Sequence, residues 1–379
     1  MKFTKKLLCT LASLAFMATS AQNVFATEFT VEELEVLPQS TINYNVLLND
    51  INPSLWTSAH GHEILIVLVP NDKVDEFTSS VSNLQYFDLD AIDIQLGDTP
   101  SFEELERTRS LLNDNLAYFA EEYGFNSTWT DDATGRIGVG IWPEHYKNFN
   151  PDTFLTNSKS IGILSIDNLY FEEKDMTIHF DAPIIVDDTQ EEITDIGDFF
   201  SPEARVSFNE LSFLVGGTYG GQASINYANS THVWTTGHGF ALGELIRING
   251  MLIGSVDRYA FDGYGDSARI SLAPGFEYVG VYARDFSTAV LQANTYADTF
   301  GVPSRFQGDR RILYNNTTYY SSQYNLTWRD LYEVDVRTVG GDSGGPLMMA
   351  GTTIVYGGLH GGPTNNLNIS YYTRSAYRA

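Results

Sequence analysis

Apolar and polar positions alternate with different periods along the chain. Ile64-Leu65-Ile66-Val67-Leu68-Val69 is an unbroken apolar run of strand length, which predicts a buried strand. Between Phe102 and Tyr123 the period lengthens. Leu105, Leu111, Leu112, Leu116, Phe119 and Ala120 fall in one stripe between charged positions, which predicts a helix. Thr128 to Ile141 predicts a hairpin, with Asp131-Asp132-Ala133-Thr134-Gly135 as its turn and Arg136 to Ile141 as its second arm. Farther on, Val233-Trp234-Thr235-Thr236 is a short β-type run ending in Gly237-His238-Gly239. Asp266 opens another strand pattern, in which Ala268, Ile270 and Leu272 alternate with more polar residues and would face a core. Up to about Phe213 the chain therefore reads as α/β.

The first residues carry a different pattern. Met1 to Lys6 is basic, and Leu7 to Ala18 is apolar but too short to cross a bilayer. Val24-Phe25-Ala26 then puts small residues at cleavage positions, so residues 1–26 are expected to be an export signal, with cleavage after Ala21 as the alternative. No later stretch reaches about 18 uninterrupted apolar residues, so no membrane span is predicted. The single cysteine, Cys9, lies inside the signal, which leaves the exported chain without disulfides.

Charge divides the rest. From Leu214 onward there are 11 arginines, no lysine and 12 acidic residues, whereas the segment between the signal and Leu214 holds 36 acidic against 8 basic ones. Such a shift predicts two units with different tasks, residues 27–213 and 214–379. The strongly acidic surface speaks against nucleic acid as a partner, because it would repel phosphates.

Candidate chemistry lies in the second unit. In Gly340-Gly341-Asp342-Ser343-Gly344-Gly345-Pro346 a serine is held between glycines, whose missing side chains leave room for a substrate carbonyl. In such a turn the Gly341 and Ser343 amides can converge where an oxyanion would form, and Asp342 can lock the turn against a buried positive group. A serine nucleophile needs a base, and the base an orienter. His238, between two glycines at a strand end, is the base candidate, and Asp266 is the orienter candidate, with Asp257 and Asp262 as competitors. His60-Gly61-His62 has no nearby third ligand and predicts no metal site.

The order His238, Asp266, Ser343 and the residues around them resemble the chymotrypsin-fold serine proteases, above all the bacterial secreted branch of α-lytic protease and the streptogrisins. Thr235-Thr236-Gly237-His238 is similar to that branch's Thr-Ala-Gly-His, and Asp266-Ser267-Ala268-Arg269-Ile270 to its aspartate strand. Gly341 to Leu347 matches the nucleophile motif, and Leu214-Val215-Gly216-Gly217 resembles the start of the mature domains. The resemblance runs from near Phe213 to Ala379. It implies an all-β domain of two six-stranded barrels, a Ser-His-Asp triad, an oxyanion hole at Gly341 and Ser343, protein or peptide substrates, and no metal or organic cofactor. The hairpin after a helix in residues 27–213 is faintly similar to the family's pro-regions, which act as folding catalysts and inhibitors of the attached enzyme. The alternative is an accessory domain that stays attached. A barrel protein with a damaged site that only binds is the other class.

The family's pattern is broken at several places. Its usual half-cystine after the histidine is Gly239 here. The segments expected to line the pocket are Asp335 to Val339, including Arg337 and Thr338, and Tyr356 to Gly362. The latter, with His360, Gly361 and Gly362, resembles the edge against which a substrate backbone pairs. Arg337 stands where trypsin's aspartate is expected. His360 aligns either with a serine that supports the catalytic aspartate or with an anion-binding histidine, and the second placement implies acidic substrate side chains. The pro-region would end at Phe213–Leu214 or after Glu210. The new ammonium at Leu214, or an internal arginine among Arg305, Arg310, Arg311 and Arg337, would meet Asp342.

Overall fold

The computed structural model describes residues 56–60, 64–82, 92–97, 102–131, 134–163, 165–179, 206–208, 214–216, 222–248, 251–278, 285–363, 365–366 and 368–378. The expected signal, Gly61-His62 and Phe213 lie outside them. The chain forms two compact units, each discontinuous in sequence.

Unit 1 comprises residues up to Met176 with 289–296 and 311–331. The apolar run Ile64 to Val69 lies in strand β2 (Ile64–Pro70), between antiparallel β1 (Trp56–His60) and parallel β3 (Ile92–Gly97). A parallel neighbour needs a crossover, and helix Val74–Ser82 lies on it. The long stripe forms two helices rather than one, Phe102–Asp114 and Leu116–Tyr123. Asn115 stands at the break, where its side-chain amide donates to the Leu111 carbonyl at 2.8 Å and competes with the helical ladder. The hairpin forms as β4 (Phe125–Asp131) and β5 (Arg136–Ile141), with β6 (Leu169–Glu173) parallel to β5. Its core packs Phe119, Phe125, Ile137, Val139 and Phe154.

The other edge of β4 pairs with a strand from far along the sequence. Ser127 and Thr128 lie opposite Tyr319 and Thr318 of strand Arg305–Ser321. Trp129 packs on Tyr314, with ring centroids 5.6 Å apart, and Arg109 bonds Asp330 at 3.2 Å. Residues 311–331 thus belong to this unit although their neighbours in sequence do not.

Unit 2 holds residues 177–288, 297–310 and 332–379. It begins with β7 (Ile178–His179), and β8 (Val206–Phe208) pairs with β16 (Phe276–Tyr278). One sheet contains β9 (Leu214–Gly216), β10 (Gln222–Ala223), β11 (Tyr227–Ala228), β12 (His232–Thr235), β13 (Leu245–Ile248), β14 (Met251–Phe261) and β15 (Asp266–Leu272). Their order is β10-β9-β13-β14-β15-β12-β11. The two edge strands are joined by only Ser224 to Asn226, so the sheet has to curl until its edges meet. Counted as one interrupted strand, β10 and β11 make this a six-stranded barrel.

A second sheet runs β18 (Tyr296–Gly301), β21 (Pro346–Met349), β22 (Ile354–Pro363), β23 (Ile369–Arg374), β20 (Leu326–Asp335) and β19 (Arg305–Ser321); of these residues, Tyr296 and those from 311 to 331 are the ones assigned to unit 1. A further β18–β19 pairing closes this ring of six. Strand β17 (Asp285–Phe286) and β7 add to β22. Val233, Ile246, Ile253, Ala268 and Ile270 of the first sheet share one core with Met348 and Val355 of the second. Leu272 is only partly buried against that core.

Candidate active site

Three segments of unit 2 bring the site together. Strand β12 ends at Thr235, and the turn after it presents His238. Asp266 is the first residue of β15, whose Ala268 lies opposite Thr235 of β12. That pairing fixes the carboxylate beside the turn. Ser343 sits in the turn before β21. There Gly344 has φ +80°, and an added Cβ would come within 2.6 Å of the Ser224 carbonyl oxygen and the Thr236 nitrogen. Only glycine fits that approach. Gly341 also has a positive φ, 89°.

The resulting geometry is a relay. His238 Nε2 lies 2.9 Å from Ser343 Oγ, and His238 Nδ1 lies 2.6 Å from Asp266 Oδ2. Asp266 Oδ1 accepts from Thr236 Oγ1 at 3.0 Å, the Gly237 amide at 2.7 Å and the His238 amide at 2.8 Å. Asp266 is 2% and Ser343 3% exposed, so solvent does little to screen these bonds. Two closed six-stranded rings with a histidine and an aspartate on the first and a serine on the second decide the architecture. The fold of these two rings is chymotrypsin-like.

No protein-family model and no curated protein sequence matches the chain. Among solved structures, it is similar to the Nocardiopsis protease NAPase, with 20% identity, 45% of this chain and 93% of that one covered, and a TM-score of 0.37. It is similar to Thermobifida fusca protease A at 17% identity, with 45% and 92% covered and a TM-score of 0.37. A third, alpha-lytic protease homolog N4, shares 13% identity over 45% of this chain and 93% of that one, at a TM-score of 0.34.

The competing aspartates are used elsewhere. Asp257 takes two bonds from Arg269, Nε at 2.9 Å and Nη2 at 2.7 Å. Asp262 Oδ1 accepts from the Tyr264 and Gly265 amides at 3.0 and 2.8 Å and shapes a turn. Asp257→Asn should leave kcat/KM within about twofold and change stability by less than about 1 kcal/mol, as expected for an exposed ion pair. Steady-state kinetics with a urea melt checks both.

Asp342 differs from expectation. Its carboxylate accepts from the Ser304 amide at 3.0 Å, the Val339 amide at 2.9 Å and the Ser304 hydroxyl. Among the described residues no arginine pairs with it, so neutral donors lock the Ser343 turn in place of the expected cation. Arg337 is exposed, and its carbonyl accepts from Gln307 at 2.9 Å. Thr338 is half-buried and bonded to Ser370 at 2.8 Å. Gly361 and Gly362 lie on β22, where Gly362 is opposite His179 of β7.

Of its two possible placements, His360 takes the one at the aspartate. The ring is fully buried, with Nδ1 2.5 Å from Asp266 Oδ2. Burial alone would raise the Asp266 carboxyl, but the charge and hydrogen bond of His238 and the hydrogen bond of His360 outweigh it. The group is held well below the usual carboxylate range. For His360 burial is the largest influence and pushes the imidazole below its ordinary value, against the pull of Asp266. His238, Asp266 and His360 also place three possible metal-ligand atoms within 4.8 Å of one another. Both Nδ1 atoms are at hydrogen-bond distance from Oδ2, so protons already occupy those positions.

Two residues at the site were not expected. Ser224 ties both sides of the Ser343 turn, its Oγ donating to the Gly341 carbonyl at 2.9 Å and its amide to the Ser343 carbonyl at 2.8 Å. No motif marks it. Thr236 was visible only as part of the motif before His238, although its hydroxyl touches both His238 Nδ1 and Asp266.

Proposed function

We propose that the chain is the precursor of a secreted serine endopeptidase. The observation that carries this reading is the aligned pair of contacts, Ser343 Oγ to His238 Nε2 and His238 Nδ1 to Asp266 Oδ2. With its Nδ1–H donated to Asp266, neutral His238 turns a lone pair toward Ser343. Ser343 Oγ attacks the scissile carbonyl while His238 takes its proton, and Asp266 steadies the imidazolium. The tetrahedral oxyanion is met by the Gly341 and Ser343 amides. His238 then protonates the leaving amine. Water, activated by the same base, hydrolyses the acyl-enzyme and restores the serine.

The acidic segment fits the role of a pro-region. Strand β4 adds to the edge of β19, a form of β-augmentation that would template a hairpin whose partners are distant in sequence. Strand β7 lies antiparallel on Gly362 and Pro363, beside the stretch on which a substrate strand would pair, and so would block it. Freeing that edge requires a cut after His179. A cut at Phe213–Leu214 or after Glu210 would free that edge and would also remove Val206–Phe208, which pairs with β16. The N-terminus of the active form is expected beyond His179. N-terminal sequencing of secreted active protein checks this, and a start before Ile178 would refute it. Residues 1–26 would direct export, and substrates would be exposed protein segments.

A further inference from the structure

His360 is not explained by the three-residue mechanism, yet it is among the most buried polar groups of the chain, at 0% exposure. The backbone accounts for where it points. Strand β22 pairs with β23 in a register that holds Leu359 opposite Tyr372 and Gly361 opposite Tyr371, and the shift between them falls at His360. A bulge of this kind re-aims one side chain. Here it directs an imidazole onto Asp266 Oδ2, the oxygen that also receives His238 Nδ1. One carboxylate oxygen thus meets two imidazoles, at 2.5 and 2.6 Å, with ring centroids 6.0 Å apart.

We propose that His360 is a positioning residue, a neutral Nδ1–H donor that fixes the Asp266 carboxylate and moderates its pull on His238. This rests on the reading of Ser343, His238 and Asp266 as a catalytic relay. Asp266 is ionised, so each Nδ1 facing Oδ2 carries a proton, and in a neutral ring that leaves Nε2 unprotonated. For His238 that tautomer is the working base. For His360 it leaves a donor without charge, which matters because a second cation so close would oppose the imidazolium of His238. Among the described residues, Asp266 from β15 and His238 from the turn after β12 face His360, and β23 places Tyr371 and Tyr372 at the flanking register positions.

Losing the His360 donor has two consequences of known sign. Asp266 is held by one bond fewer, so the relay loosens and kcat falls. Its charge is also less satisfied, so it stabilises protonated His238 more, and the acid limb of kcat/KM moves to higher pH. For His360→Leu, kcat should fall at least about tenfold, the lower end for a hydrogen bond to a charged group, with KM within about twofold. His360→Asn, which returns an N–H donor, should restore most of kcat and bring the acid limb back toward its original position.

The test runs on active enzyme matured from the full chain. It combines pH profiles of the unmodified, His360→Leu and His360→Asn proteins with nitrogen-15 spectra of the histidines in the unmodified protein. The spectra are expected to show His360 protonated at Nδ1 and bare at Nε2, and they read the tautomer even if the leucine variant fails to fold. An unchanged acid limb in His360→Leu, an effect confined to KM, equal loss in both variants, or a proton on Nε2 alone would overturn the proposal. Fluorophosphonate labelling separates the levels of argument. An unmodified protein not labelled at Ser343 sinks the catalytic reading itself, whereas normal labelling with an indifferent His360 sinks only this role.

Discussion

Ser343→Ala should lower peptide hydrolysis roughly 10⁴–10⁶-fold while the domain stays folded. The expectation of an intact fold is specific. The nucleophile turn is held by backbone bonds that do not use the serine hydroxyl: the Ser224 amide to the Ser343 carbonyl at 2.8 Å, and the Gly344 amide to the Leu359 carbonyl at 2.9 Å. Asp342 adds its bonds to Ser304 and Val339. Removing Oγ takes away the contact to His238 and little else. The urea midpoint should therefore match that of the parent, and processing of the precursor should stop if the chain cleaves itself. A variant with parental turnover would mean that another group performs the attack.

Asp266→Asn is expected to cost about 10⁴-fold in kcat near neutral pH. The donors around the carboxylate decide how the amide would sit. Thr236 Oγ1 and the Gly237 and His238 amides all donate to the Oδ1 position, so the amide oxygen is drawn there. The NH₂ group then falls at the Oδ2 position, facing both imidazoles. Two donors cannot share one bond, so each ring must turn its lone pair inward and its proton to Nε2. His238 would then present N–H to Ser343 and could not accept its proton. KM should change little, because Asp266 is buried behind the histidine. Kinetics across pH with the same peptide checks this, and a loss under about tenfold would contradict the tautomer argument.

How much of this was legible in the sequence depended on whether the signal was local. The apolar run of β2, the β4–β5 hairpin and the strand opened by Asp266 follow from period alone, because each is a short element with one strong pattern. That His238, Asp266 and Ser343 would meet was legible because the histidine and the serine sit in dense glycine and threonine motifs. The helix break at Asn115 was missed because one side-chain bond interrupts an otherwise continuous stripe. Long-range pairings were not legible. Nothing near Thr318 announces that it will lie opposite Thr128, and nothing near Ile178 announces β22. Ser224 and Ser304 were hidden for the same reason, and the aim of His360 stayed open between two placements. Each gains its meaning from a partner tens of residues away, and the β22 bulge cannot be read from a glycine-rich run.

The central claim is that Ser343 is a nucleophile activated by His238. Its most direct measurement is covalent: active secreted protein is treated with a fluorophosphonate, digested and mapped by mass spectrometry. The account predicts a single phosphonylated residue, Ser343, with labelling slowed at least about 10³-fold in His238→Ala. Labelling of a different residue, or undiminished labelling without His238, would contradict it.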